Sequence, residues 1–483
     1  MKERNFSSHI QKIKVTKMFS KKKDVSGYKL HSLINSQNGM YLMYRFTLHK
    51  QQVQIPSSVT VDTDFDFELL QKAFDIEIER NESFRIRFVK EKGEIKQYFI
   101  EPYKLKVEHK HFSSVEEQEA FFNADAEKPC YFLKDECFRV YFFTTFGGEC
   151  GIYSCFSHLV IDALGIVGFY MDLFRVYKAL LKGEEIPPAL DSYEEYIEKE
   201  LQKCSNEEKQ KKHEEFYKEY FLKNGEPYYA GVHGHEFLDN YRKKKKNPDI
   251  RVPMAYNPLH DKCDMIVEHI SPEDTKKIFD YCIENQISPE SIFVMGLRSH
   301  CSAVNYRVDD VSMMSVCSKR MTVKEKNMCG CMAEPLIFRS KIGEDLSFSE
   351  AVKELVRIRL SLYRHLDYPY TKARDMSLKL FNFGPIQGAN ALMYSWIPVP
   401  IDDSFPFRFH FKTYNLGRYF TPMYTITIPN PKDKGIDVYY MYRTKLSTEE
   451  QIRQMHKNFL KTILDGIDNP EITVKELLDN IGG

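Results

Sequence analysis

One largely apolar stretch, residues 151–174, constrains the fold of this chain most strongly. It contains His158 and Asp162, four residues apart. The aromatic-rich segment 137–156, with a Gly-Gly pair at its centre, predicts a β-hairpin. After Asp162, apolar residues recur every three or four positions, which predicts a helix that ends near Gly183. We therefore expect His158 and Asp162 at a strand-to-helix turn, a common place for a functional site.

The spacing of this His and Asp allows three interpretations. They could form a satisfied polar pair in a core, begin a metal site, or belong to a catalytic centre. A metal pair on one helix face is disfavoured, because no Glu lies between them and no third ligand follows nearby. The residues alone leave the core pair and the catalytic centre open.

Strands and helices alternate in two separate parts of the chain. With 483 residues, 42% of them hydrophobic, the chain can form two or more domains of ~100–200 residues each. We predict an α/β fold with two sandwich lobes. The predicted parts are a basic N-terminal extension (1–25), an N-terminal lobe (26–182), a connector (183–260) and a C-terminal lobe (261–483).

Charge and cysteine content narrow the function classes. Lys plus Arg equals Asp plus Glu at 69 each, so no net field favours nucleic acid or an anionic membrane. The basic N-terminus lacks the apolar region of a secretion signal, and no stretch reaches the ~20 apolar residues of a membrane span. The eleven cysteines, several in apolar runs, suit a reduced, cytoplasmic protein. The C-x-C of Cys329 and Cys331 has no second ligand pair, so no metal site is predicted.

Three further segments have local interpretations. The lysine-rich residues 241–249 are predicted to be a solvated loop or, alternatively, an electrostatic binding site for a phosphate or an acidic carrier protein. The histidines of "GVHGHEF" (231–237) are expected in a connector loop, and "YNLGR" (414–418) in a tight turn. A strand at 84–88 would place its two arginines on the face opposite its phenylalanines, within possible reach of a buried carboxylate.

Several motifs, taken in order, resemble one family. "SHLVID" and the helix after it resemble the HHxxxDG motif of condensation domains of nonribosomal peptide synthetases, within the chloramphenicol acetyltransferase-like acyltransferases. "RNESFRIRF" is similar to the family's RHExLRTxF, "SVCSKR" to its xxGR segment and "GCMAEPLIFR" to GxFVNTLPLR. "RHLDYPYTKA" resembles its HQDLPFE-type stretch. Together the similar segments cover roughly residues 28–475.

This resemblance implies two chloramphenicol-acetyltransferase-like lobes in a V-shaped pseudo-dimer, with a tunnel between them. His158 matches the catalytic second His of the motif and would act as general base. Asp162 matches the structural Asp, which would pair with Arg85 rather than with Arg87. Gly330 matches the glycine of GxFVN, a segment that lines the tunnel.

The chain departs from the family pattern at three positions. The first His of the motif is Ser157, its Gly is Ala163, and the Asn of GxFVN is Glu334. Ser157 can still hydrogen-bond, and together with Glu334 and Gly330 it is a candidate for tunnel lining. Three roles remain open for Glu334: binding a cationic acceptor, sharing a proton with His158, or facing solvent.

The leading hypothesis is an acyltransferase that forms amides or esters. It would move an acyl group from a phosphopantetheine thioester, on coenzyme A or a carrier protein, to an amine or alcohol. No bound cofactor, nucleic acid or integral membrane partner is expected. The chain has no room for an adenylation or carrier domain, so a free-standing monomer that takes any carrier in trans is expected. The alternative is a non-catalytic docking platform for a partner enzyme or carrier protein.

Overall fold

The computed structural model describes residues 24–134, 137–147, 149–400 and 405–481. Of the predicted basic extension, only its last two residues fall inside these ranges. Strands and helices of both halves are interleaved, and the predicted α/β class is confirmed. The division into lobes at the predicted boundaries remains a prediction.

The strands are mostly short and form three sheets. In chain order they are β1 (His31–Ser32), β2 (Gln54–Val61), β3 (Ile86–Glu91), β4 (Glu94–Phe99), β5 (Glu108–Phe112), β6 (Phe138–Thr145), β7 (Glu149–Ser157), β8 (Cys263–Ile270), β9 (Asp310–Ser318), β10 (Ala333–Lys341), β11 (Leu392–Trp396), β12 (Phe409–Thr413), β13 (Met423–Pro429) and β14 (Ile436–Arg443).

The helices pack against these sheets. They are α1 (Asn35–Phe46), α2 (Phe67–Arg80), α3 (Val115–Ala126), α4 (Ala163–Lys182), α5 (Tyr193–Cys204), α6 (Glu207–Asn224), α7 (Glu236–Lys245), α8 (Pro272–Glu284), α9 (Pro289–Ala303), α10 (Val323–Lys326), α11 (Phe348–Tyr363), α12 (Tyr370–Leu380), α13 (Glu449–Asp468) and α14 (Val474–Ile481). Short 3-10 turns cover Lys50–Val53, Glu82–Phe84, Phe132–Lys134 and Pro258–His260. No helix in the described residues is long and apolar enough to cross a membrane.

Sheet pairing joins the two halves of the chain. The five-stranded sheet has the order β12-β2-β7-β6-β5, and the six-stranded sheet has the order β10-β9-β11-β13-β14-β8. Strand β12 belongs to the predicted C-terminal lobe by position, yet it pairs antiparallel with β2, Phe409 opposite Val61. This strand is absent from the sequence-based predictions. It closes the edge that β2 would otherwise expose.

The predicted hairpin and helix around the central stretch are confirmed. Strands β6 and β7 pair antiparallel from Phe138–Phe156 to Thr145–Glu149. Helix α4 starts directly after Asp162, whose side chain caps it, and ends at Gly183 in the left-handed conformation with φ +65°. Glycine adopts this conformation without steric cost, which explains why the helix stops there.

The connector differs from its prediction. Residues 183–260 hold three helices, α5 to α7, and the lysine run forms the last turn of α7 rather than a loop. Lysines are favourable at a helix C-terminus because they oppose the negative end of the helix dipole. Helix α6 is rich in charged residues, and its three buried residues, His213, Tyr217 and Phe221, recur every four positions along one narrow face.

Candidate active site

His158 lies one residue beyond strand β7. Its backbone N–H donates to the Val53 carbonyl at 3.0 Å, and the preceding Ser157 N–H donates to the Cys137 carbonyl at 2.7 Å. These bonds extend the sheet pairing up to the turn. The imidazole is partly exposed and lines a cavity of about 580 Å³. The strand thus delivers the predicted catalytic residue to the cavity wall.

The cavity lies where the two halves of the chain meet, and its wall is largely apolar. From the first half it is lined by Met40, Met43, Ile55, His158, Ala163, Ile166 and Val167 among others. From the second half it is lined by Met314, Val316, Ala333, Pro335, Met393, Tyr424 and Ile426 among others. A cavity of this size, apolar and with few polar groups, is typical of a small-molecule site.

Asp162 fixes the turn that carries His158. One carboxylate oxygen accepts from the Gly165 N–H at 2.7 Å, which caps helix α4. The other accepts from Arg320 Nη1 at 2.7 Å and from the Met332 N–H at 2.8 Å. The Asp162 N–H in turn donates to the Gly330 carbonyl at 3.1 Å. The turn is therefore bound to residues 330–332 of the second half.

The prediction that Arg85 pairs with Asp162 is wrong in this structure. The Arg85 guanidinium donates to the Ile100 carbonyl at 3.0 Å, whereas Arg320 holds the Asp162 carboxylate. Arg87 donates to the carbonyls of Phe84 and Ile86. Arg85 directly precedes strand β3, which lies in the three-stranded sheet with β1 and β4. Both Arg85 and Arg87 bind backbone carbonyls near that strand.

Arg320 also binds the chain that follows it. Its guanidinium donates to the carbonyls of Met328 at 3.2 Å and Gly330 at 3.0 Å. Burial acts to lower the pKa of Arg320, but the Asp162 carboxylate raises it, and the net shift is upward. The sequence signal for this residue is the xxGR-like "SKR". The resemblance matches this segment to the family's xxGR but implies that Arg85, not Arg320, pairs with Asp162.

The environment of His158 suits a proton acceptor. Burial lowers the pKa of its imidazole from the ordinary value of 6.5, and the charge of Asp162 offsets part of this effect. The ring is therefore neutral at pH 7. Its Nδ1 lies 4.0 Å from the Cys331 Sγ. The Cys331 backbone is held at both its N–H (3.1 Å) and its carbonyl (2.9 Å) by the Tyr193 hydroxyl.

Glu334 does not line the cavity. Successive residues of strand β10 face opposite ways, and its neighbours Ala333 and Pro335 are the ones that reach the cavity wall. Glu334 is 2% exposed. Its carboxyl group accepts from the Ser36 hydroxyl at 3.2 Å and from the Tyr370 N–H at 2.9 Å. The solvent-facing role is thus wrong, and no hydrogen bond in the described residues joins Glu334 to His158.

The electrostatic setting of Glu334 is unusual. Burial raises the pKa of its carboxyl to about 7, although the Tyr370 N–H, the Lys319 charge and the Ser36 hydroxyl act to lower it. The group therefore titrates near neutrality. It bridges helix α1, through Ser36, and helix α12, through Tyr370, and residues of both helices line the cavity. Glu334 is therefore joined to two helices that border the cavity, without lining it.

The other two predicted lining positions are also buried behind the wall. Ser157 is 1% exposed, and its hydroxyl accepts from the Leu159 N–H at 3.5 Å. Gly330 serves through its backbone, and a Cβ there would lie 2.2 Å from the Tyr193 ring. Neither residue lines the cavity. Both support the turn and the segment that hold His158.

Of the remaining sequence candidates, the turn at 414–418 borders the cavity through Tyr414 and Leu416, whereas residues 231–237 do not line it. His233 is half-buried and desolvation lowers the pKa of its imidazole to about 4, while His235 pairs with Asp239 at 2.9 Å. The tight turn at 414–418 is confirmed: the Asn415 side chain accepts from the Gly417 N–H at 2.9 Å, and Gly417 has φ +67°.

One group of side chains has the geometry to hold a metal ion. In the described part of the chain, ligand atoms of His31, Glu194 and Glu198 lie within 4.8 Å of one another. Lys29 already pairs with Glu198, and His31 bonds Glu194 at 2.7 Å. These existing pairings satisfy the three side chains without an ion.

Comparisons with known proteins agree with the resemblance seen in the motifs. A family model described as Condensation domain matches residues 29–479. Surfactin synthase subunit 1 of Bacillus subtilis (strain 168) is 24% identical over 443 residues, which are 85% of this chain and 11% of that protein. Bacitracin synthase 3 of Bacillus licheniformis is 21% identical over 459 residues, which are 92% of this chain and 7% of that protein. The chain thus spans only a small part of the length of these relatives.

Solved structures share the fold at lower identity. The first condensation domain of the calcium-dependent antibiotic synthetase, in complex with a substrate analogue, aligns with a TM-score of 0.75 at 16% identity, covering 93% of this chain and 99% of that one. A variant of the starter condensation domain of rhizomide synthetase, in complex with C8-CoA, aligns at 0.72 and 12% identity, covering 92% and 97%. The X-domain from teicoplanin biosynthesis aligns at 0.68 and 13%, covering 92% and 96%.

The family match spans nearly the whole chain, and the ordered motifs, the fold and the His-containing turn agree with it. The chain therefore belongs to the condensation domain family, whose members form amide bonds in nonribosomal peptide synthesis.

Proposed function

We propose that this protein is an acyltransferase with His158 as its general base. The acyl group would come from a phosphopantetheine thioester, on coenzyme A or a carrier protein, and pass to an amine or alcohol. One observation carries the proposal: a partly exposed imidazole with a lowered pKa lies on the wall of a cavity between the two halves of the chain. An imidazole that is neutral at pH 7 can accept a proton there.

The proposed reaction is a direct acyl transfer. His158 accepts the proton of the acceptor amine or hydroxyl as the nucleophile attacks the thioester carbonyl carbon. The C–S bond then breaks, and the proton passes from the imidazolium to the leaving thiolate. Proton transfer of this kind contributes ~10²–10⁴ in rate, and alignment of donor and acceptor can contribute ~7–11 kcal/mol.

The position of the turn supports this role. Asp162, Arg320 and the Met332 N–H form a buried set of bonds that leaves the turn little freedom. A base held in this way loses little orientation entropy when the substrate binds. The apolar wall suits the acyl part of the donor and excludes water that would hydrolyse the thioester.

The proposal is tested by product formation with defined substrates. Acyl-CoA and acyl-carrier donors are combined with a panel of amines and alcohols, and the products are measured by mass spectrometry. We expect His158→Ala to lower kcat/KM by at least 10²-fold. The control His235→Ala changes a partly exposed histidine that does not line the cavity, and it should leave kcat/KM unchanged. Because burial lowers the pKa of His158 from its ordinary value of 6.5, protonation of the base should lower the wild-type rate only on the acid side of that value.

Two results would contradict this assignment. Equal product yield from the wild type and His158→Ala would show that His158 is not the general base. No product from any donor would favour a non-catalytic docking platform. Circular dichroism of both variants establishes that they are folded, so that a lost rate is not a lost structure.

A further inference from the structure

A second cleft lies apart from the cavity of His158. It has a volume of about 250 Å³ and is formed by helix α5, the segment around α10, and the chain between α11 and α12. It shares no lining residue with the larger cavity. At about 30 Å³ for each water molecule, its volume corresponds to roughly eight waters, which suits a ligand of amino-acid size.

Two buried polar atoms at this cleft lack a partner. The Tyr196 side chain is 3% exposed and Glu200 is 1% exposed. The Tyr196 hydroxyl and the Glu200 Oε2 make no hydrogen bond within the described part of the chain. The other Glu200 oxygen binds Lys319. Buried polar groups are nearly always hydrogen-bonded, so this hydroxyl and this carboxylate oxygen call for a donor from outside the chain.

Cations at the same cleft are also unpaired. Lys203 and Arg364 are exposed, and neither side chain has an ion-pair or hydrogen-bond partner among residues 24–134, 137–147, 149–400 and 405–481. The charges of the cleft balance, since three acidic and three basic residues line it: Glu200, Glu325, Asp367, Lys203, Lys319 and Arg364. Lys319 already pairs with Glu200 and Asp367. This leaves the cations Arg364 and Lys203 beside a carboxylate oxygen of Glu200 that has no partner, and such a site suits a ligand that carries both charges.

We propose that this cleft binds a free α-amino acid. The ammonium group would donate to the Glu200 carboxylate and the Tyr196 hydroxyl, and the carboxylate group would accept from Arg364 and Lys203. Arginine is suited to this role because its planar guanidinium can bind a carboxylate through two parallel hydrogen bonds.

The cleft also has a physical connection to the His158 turn. The Tyr196 ring stacks on Tyr193, with centroids 5.9 Å apart and an interplanar angle of 14°. The Tyr193 hydroxyl holds the backbone of Cys331, which lies beside His158. Lys319, at the cleft, directly precedes Arg320, which binds Asp162. Occupation of the cleft would therefore act on the segment that fixes the turn.

The test is binding, measured by isothermal titration calorimetry without any thioester. The twenty proteinogenic L-amino acids are titrated into the full chain, and acetate and methylamine serve as probes that each carry one of the two charges. We expect at least one amino acid to saturate a single site, with acetate and methylamine binding at least tenfold more weakly. Binding should weaken at least fivefold in Arg364→Ala and in Lys203→Ala.

Two controls locate the site. Lys353→Ala removes an exposed cation from helix α11, about 16 Å along the helix from Arg364 at 1.5 Å per residue, and should bind as the wild type does. His158→Ala should also bind normally, which separates this site from the proposed reaction. Both cleft variants change exposed residues, so a folding defect is not expected to mask the result.

Three outcomes would overturn the proposal. They are no saturable binding by any amino acid, equal binding by Arg364→Ala and the wild type, and binding that is lost in His158→Ala but kept in Arg364→Ala. The last would place the amino acid in the larger cavity instead.

Discussion

Two buried carboxyl groups, those of Asp162 and Glu334, differ in their partners. Asp162 receives a guanidinium at 2.7 Å and two backbone N–H groups. Glu334 receives one backbone N–H and one hydroxyl, and it forms no ion pair within the described ranges. The nearby ammonium of Lys319 pairs with Glu200 instead. Both carboxyl groups are about equally buried, at 1% and 2% exposure.

The comparison shows that partners, rather than burial alone, decide what a buried carboxyl group does. Desolvation disfavours the charged form, and direct charge pairing and hydrogen bonds offset it. Asp162 has a cation among its partners and holds the turn in place. Glu334 does not, and its pKa rises to about 7 because of burial. One group holds the turn in place, and the other changes charge near neutrality.

Removing the partner of Asp162 should have the largest effect on stability. Arg320→Met leaves the buried carboxylate without its cation, and the free energy of unfolding should fall by about 3–5 kcal/mol. Arg45→Met, at an exposed arginine, should change it by less than about 0.5 kcal/mol on the usual scale for surface substitutions. Chemical denaturation measures both. A loss below about 1 kcal/mol for Arg320→Met would show that the hydrogen bonds from Gly165 and Met332 suffice.

Neutralising Glu334 should change the pH dependence of stability. An unfolded glutamate has a pKa near 4.5 and folded Glu334 near 7, so the folded state binds more protons between these values. Its contribution to stability is full below pH 4.5 and is lost as the pH rises through 7. Relative to Glu334→Gln, the wild type should lose about 2–3 kcal/mol between about pH 5 and pH 8. Parallel profiles of the two proteins would contradict the raised pKa.

The substitution Gly330→Ala should displace the chain segment around residue 330. A methyl group at Gly330 would lie 2.2 Å from the Tyr193 ring, and such overpacking costs about 1–3 kcal/mol. Gly168→Ala is the matched control, since a methyl group there meets the Cys329 sulfur at an ordinary 3.6 Å. The control should be neutral or slightly stabilising within helix α4. Thermal unfolding and product formation are measured on both variants. Equal behaviour of the two would contradict the predicted clash with the Tyr193 ring.

The smallest effect is expected at Arg85. Its guanidinium binds one backbone carbonyl, that of Ile100, so Arg85→Ala should cost about 1 kcal/mol. The pH profile of product formation should stay unchanged, because Asp162 keeps Arg320. A loss in stability as large as that of Arg320→Met would instead support a pairing of Arg85 with Asp162, as the family resemblance implied.

Local structure around the site was predictable because it depends on neighbours in the chain. The aromatic hairpin, the helix after Asp162 and the end of that helix at Gly183 follow from local periodicity and glycine conformation within a few residues. The family also followed from sequence, because its motifs are short and occur in a fixed order. The position of His158 at the end of a strand was also predicted correctly, because the hairpin before it is a local feature.

Contacts between distant segments were not predictable in the same way. The pairing of Asp162 with Arg320 joins residues 158 positions apart, whereas the family resemblance implied Arg85 as the partner. The facing of Glu334 depends on the register of β10 against β9. A shift of one residue would have turned it into the cavity. Strand β12 was missed because its partner β2 lies far away in sequence.

The sequence by itself therefore determined the family, the α/β class and the turn that carries His158 and Asp162. Only the tertiary structure decided which cation meets Asp162, that Glu334 lies behind the cavity wall, and that Ser157 and Gly330 support the site from outside it. The physical reason is that periodicity and capping act over a few residues. The partner of a buried charge is instead set by which distant segments the packed sheets bring together.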